Sequence, residues 1–105
     1  MTTQQWARLT KDKQILNVAS ELSRAASLAK QNAPELVRQS IERALDLADL
    51  TIEVTRSKNF LREFLRFRGL LAASYVDLKG AGELRNLIRG LLSLDPVTYN
   101  MQLEL

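Results

Sequence analysis

Residues 34–56, PELVRQSIERALDLADLTIEVTR, contain no Gly and no Pro after the first position, and carry more apolar side chains than a narrow helical stripe can hold. Val37, Ile41, Ala44, Leu45, Ala48 and Ile52 recur at three- and four-residue steps, and Leu36, Leu47, Leu50 and Val54 widen the same face. A helix this broadly apolar has to be covered from more than one side. The chain is therefore expected to be all-α, with this segment as the central element of a bundle.

The flanking segments supply the cover. Thr10 is placed to cap a helix over residues 11–31, with Asp12 in its first turn and Ile15, Leu16, Val18, Ala19, Leu22, Ala25, Ala26, Leu28 and Ala29 as apolar positions. Pro34 pushes Ala33 out of the helical region and suits the first turn of the next helix, which fixes that boundary. Ser57 or Asn59 caps a further helix after a turn at 56–59. In it Phe60, Phe64, Phe67, Leu71, Ser74 and Leu78 follow alternating steps of four and three, flanked by Leu61, Leu65, Ala72, Tyr75 and Val76. Gly69 lies inside this helix at a cost of about 1 kcal/mol relative to Ala, which predicts a close contact there. Gly80 is expected to end the helix in the left-handed conformation.

A shorter segment over residues 83–93 carries Leu84, Leu87, Ile88, Leu91 and Leu92 on one face. Asp95 followed by Pro96 reads as a cap and first turn of a last short helix reaching about Leu103. The expected architecture is one domain, 1–105: an antiparallel up-and-down bundle of three long helices plus a shorter fourth. Residues 1–9 form an N-terminal arm that is extended or partly helical, anchored by Trp6, and 94–105 form a short C-terminal helix or tail.

Residue inventory restricts the chemistry. The 105 residues include no His and no Cys, which removes the commonest general base, the commonest metal ligand, thiolate metal sites and disulfides. No catalytic residue, cofactor or metal site is assigned. The start of the chain lacks the pattern of a secretory signal and no run approaches the ~20 apolar residues that span a bilayer, so no membrane association and a cytoplasmic location are expected. Glu42, Asp46, Asp49 and Glu53 lie at offsets of zero, four, seven and eleven along the central helix. They are read as a solvated or base-paired flank in preference to a cation site, and an acid-dependent enzyme built on Asp46 and Asp49 ranks last among the functions considered.

The next helix carries the opposite sign. Arg56, Lys58, Arg62, Arg66 and Arg68 outnumber Glu63, and Arg85 and Arg89 extend the candidate strip for a phosphate backbone. The formal net charge of +3, fifteen basic against twelve acidic residues, is small. Nucleic-acid binding through this strip is the alternative function, and the phenylalanines do not favour it because their spacing turns them inward. The leading reading is a non-enzymatic interaction module, a homodimer or a subunit of a small bacterial complex, with Trp6, Val97, Tyr99 and Met101 as candidate partner contacts.

Residues 21–53, ELSRAASLAKQNAPELVRQSIERALDLADLTIE, resemble the first helical hairpin of the HEPN superfamily of small prokaryotic bundles in their Ala/Leu patterning. Members of that group act as ribonuclease toxins or as partners of minimal nucleotidyltransferases. The nuclease signature, an Arg followed by a His, cannot occur in a chain without His. What the resemblance implies is thus a non-catalytic bundle with a partner protein.

Overall fold

The computed structural model describes residues 1–78 and 80–102, and every regular element among them is a helix. They are α1 (Thr3–Ala7), α2 (Lys11–Lys30), α3 (Pro34–Val54), α4 (Lys58–Val76), α5 (Ala81–Leu92) and α6 (Pro96–Gln102). The count is six where the expected bundle named three long helices and a shorter fourth, because α1 and α6 are short helical pieces at the two ends of the chain.

Local chemistry explains most boundaries. Thr2 and Gln5 form a reciprocal cap in which each side chain accepts the other's backbone N–H, and this turns the N-terminal arm into α1. After α2 the backbone reaches a φ of 55° at Asn32, a left-handed position that Asn tolerates better than most residues. Pro34 then opens α3 as its first residue. The turn after α3 is real: Thr55 is extended, and the Ser57 hydroxyl accepts the N–H of Phe60 at 3.3 Å to start α4. Gly80 departs from expectation. Its φ is −76° and it precedes α5 as the N-cap, while α4 ends earlier, at Val76, through an extended Asp77. The Asp95 carboxylate accepts the N–H groups of Val97 and Thr98 at 3.0 and 3.4 Å, which starts α6; Leu103 lies outside the described residues.

Around the core, α2 abuts α3, α3 abuts α4, α4 abuts α5, and α5 returns to α2. The four helices therefore enclose one apolar interior, with α1 laid on α3 and α6 against α5 and α2. Val37, Ile41, Ala44 and Ala48 are buried on α3, Ile15, Val18, Leu22, Ala25 and Ala26 on α2, Phe64, Phe67 and Leu71 on α4, and Leu84, Leu91 and Leu92 on α5. Leu45 and Ile52 pack at the edge of this cluster. Leu36, by contrast, is 47% exposed in the first turn of α3. The Cα radius of gyration, 13.1 Å, is about that of a compact chain of this length.

Trp6 closes one end. Its ring is fully buried and its indole N–H donates to the Thr51 hydroxyl at 2.9 Å, which in turn donates to the carbonyl of Leu47. The buried Gln14 amide donates to the carbonyls of Trp6 and Leu9 at 3.0 and 3.2 Å, so the loop after α1 has its polar groups satisfied inside the protein. Lys11 completes the knot: its ammonium donates to Gln14 and Thr55 and lies 4.8 Å from the centre of the Phe60 ring. Burial pulls its pKa below the ordinary lysine value, with Asp95 acting in the opposite sense.

Candidate interaction surface

The acidic row on α3 does not act as a unit. Glu42 accepts a hydrogen bond from the Tyr75 hydroxyl, Asp49 takes both Nε and Nη2 of Arg68 at 3.0 and 3.4 Å, and Glu53 accepts from the Thr3 hydroxyl at 2.9 Å. The row thus ties α3 to α4 and α1. Asp46 remains on the surface, and among the described residues no three carboxylates converge where a metal ion would need them.

Tyr75 feels this arrangement. The hydrogen bond to Glu42 raises its pKa above the ordinary phenol value, because only the neutral phenol can donate to the carboxylate. The folded chain therefore keeps the proton longer than the unfolded one. Any stability from this bond is complete below the ordinary phenol pKa and is lost as pH rises through the raised value. In a Tyr99→Phe background, phenolate absorbance is expected to appear at higher pH than for free tyrosine, and Glu42→Gln is expected to bring the titration back down. A curve that ignores Glu42 would contradict the contact.

The basic strip is only partly continuous. Lys58, Arg62 and Arg66 stand exposed on the outer face of α4, and Arg56 is exposed in the turn before it. Arg66 is 3.8 Å from Glu63, one turn back, and Arg68 is turned to the α3 side by Asp49. Arg85 and Arg89 are exposed on α5, which lines its groove with α4 by Asn86, Leu87 and Gly90. Arg89 also donates to Asn86 at 3.0 Å.

The candidate partner contacts divide as well. Trp6 is spent inside the chain, so it has no surface to offer, whereas Val97 and Tyr99 are about half exposed and Met101 is half-buried. More apolar surface stands on α4, where Leu65 is 47%, Leu70 56% and Val76 80% exposed. Leu65 and Val76 were expected to flank the phenylalanine seam; they instead lie on the opposite side of the helix from Phe64 and Phe67. Leu70 was absent from the sequence reading of this helix, although its failure to fit the four-three spacing is itself the signal of an apolar side chain left outside. It sits between Phe67, Leu87 and Leu94 on one side and Ala73 and Ser74 on the other, along an open groove whose wider part encloses about 430 Å³. Among the described residues no helix is long and apolar enough to cross a membrane.

Compared with known proteins, the chain matches no family model, no curated protein and no solved structure.

Proposed function

We propose that this protein is a non-enzymatic helical-bundle module that works by docking its outer face on another protein, in the first place a second copy of itself. The observation that carries this reading is the apolar surface left on α4: Leu65 and Val76 are 47% and 80% exposed on the side away from Phe64 and Phe67, and Leu70 is 56% exposed along the groove with α5. A chain without His or Cys lacks the commonest general base and the thiol nucleophile, which supports the non-enzymatic part. The resemblance of residues 21–53 to HEPN bundles is carried forward in the same sense, as a non-catalytic bundle with a protein partner; it rests on the patterning of α2 and α3. A cytoplasmic setting accords with the lack of cysteine.

The proposed arrangement is antiparallel and up-and-down for α2, α3 and α4, with α5 as the shorter fourth helix. Its support is the order of the cross-helix pairs. Lys11 meets Thr55 and Glu21 meets Arg43, while Glu42 meets Tyr75 and Asp49 meets Arg68, so numbers rise on one helix as they fall on the next.

Sedimentation tests the reading directly. The expected result is a mass near twice 11.9 kDa at tens of micromolar. A monomer at that concentration, with no associated protein after gentle purification, would overturn it. The second reading, nucleic-acid binding, draws on the exposed Lys58, Arg62 and Arg66. It requires binding of a labelled RNA or DNA that weakens steeply with salt and drops on Arg62→Glu with Arg66→Glu. No binding at low salt removes it.

A further inference from the structure

Gly69 has no explanation inside the chain. It lies in the middle of α4, where glycine weakens a helix, its φ is not positive, and a Cβ added there would meet nothing within 4 Å. The space it leaves faces outward.

The residues around it are arranged symmetrically. Leu65 and Ala73 stand four positions before and after Gly69, and Arg62 and Val76 stand seven before and after, with Asp77 next. Steps of four and seven return to the same helical face, so all five share one stripe. Leu65, Gly69, Ala73 and Val76 are exposed, and so is Arg62, which has no ion pair among the described residues. We infer that this stripe is the contact of a two-fold dimer, in which α4 of a second copy packs antiparallel on α4 with the axis at Gly69.

Three features of the stripe fit a second copy. Large meets small, because turning the helix about Gly69 brings Leu65 of each copy onto Ala73 of the other, and Gly69 onto itself, where two backbones can approach closely. Like charges stay apart, because Arg62 of each copy comes opposite Val76 of the other and about 21 Å along the helix from its own mate. The helix dipoles agree as well: α4 carries Lys58 and Arg62 near its own N-terminus, with no acidic residue in its first turn, and an antiparallel neighbour brings the negative end of its dipole to those cations. The inference rests on self-association, and assigns it a surface and a symmetry.

The cysteine-free chain makes the test direct. A single Gly69→Cys variant places two thiols at the axis, within the Cα separation of about 4.4–6.8 Å that a disulfide needs. Under mild oxidation it is expected to yield covalent dimer faster than Leu65→Cys, Ala73→Cys or a Leu36→Cys control on α3. Gly69→Leu supplies the second arm. It has room within the chain, so the thermal midpoint of the monomer is expected not to fall, while dimer dissociation rises about tenfold or more. A dimer by sedimentation that cross-links best through Leu36→Cys, or that Gly69→Leu leaves intact, overturns the assigned surface and leaves self-association standing. A monomer throughout overturns both.

Discussion

Replacing Trp6 by Ala is expected to lower the unfolding free energy by about 3–5 kcal/mol, read as a shift of the urea midpoint by far-ultraviolet circular dichroism. The indole is fully buried, and its loss leaves a hole between α1 and α3 that the five residues of α1 cannot collapse to fill. It also strips a donor from the Thr51 hydroxyl. For a chain of this size the thermal midpoint should fall by about 15 °C or more. Trp6→Phe separates the two contributions, since it keeps most of the apolar volume and removes only the N–H, at about 1 kcal/mol. If Trp6→Ala altered stability by less than about 1 kcal/mol, the N-terminal arm would not be docked as described.

The second large effect belongs to Phe64. Its ring is fully buried and lies 5.4 Å from Phe60 and 5.5 Å from Phe67, centre to centre, so it joins the three phenylalanines of the α4 seam into one stack of contacts. Phe64→Ala should destabilise the chain by about 3–5 kcal/mol, through lost transfer free energy and the cavity left behind. Leu36→Ala, at a side chain the sequence pattern marks as apolar and the fold leaves about half exposed, should change stability by about 0.5 kcal/mol or less. Comparable losses at the two positions would mean that α3 buries a wider face than the four-helix arrangement allows.

Periodicity made the interior legible. The α3 stripe from Val37 to Ala48 and the phenylalanine seam of α4 are buried because steps of three and four keep returning to one face, whatever the rest of the chain does. The same rule covers Thr51, which continues the stripe three positions after Ala48 and is buried with its hydroxyl bonded to Trp6 and Leu47. Its polarity hid it. Gln14 was hidden for a different reason, since its partners are the backbone carbonyls of Trp6 and Leu9, and no pattern of residue types announces a carbonyl. Thr98 is buried in the same way, donating to the carbonyl of Leu92 at 2.7 Å. Gly80 was misread because glycine serves either end of a helix; α4 ends before it at Asp77, and Gly80 precedes α5 as its N-cap. On the surface, the basic residues were legible as a list and not as a strip. Which way Arg68 turns depends on Asp49, and where Arg85 and Arg89 point depends on how α5 is rotated against α4.

Ala25 and Ala26 on α2 and Ala44 and Ala48 on α3 are almost wholly enclosed and belong to one interior. An alanine has no torsion to swing aside, so an added methylene at any of the four would be met by movement of whole helices. These positions act as a gauge for the spacing of α2 and α3, and through α2 for the seating of α5. Sequence drift should accordingly be narrow there, held to glycine or serine, and wide across the outward flank of α2 at Lys13, Ser20 and Arg24.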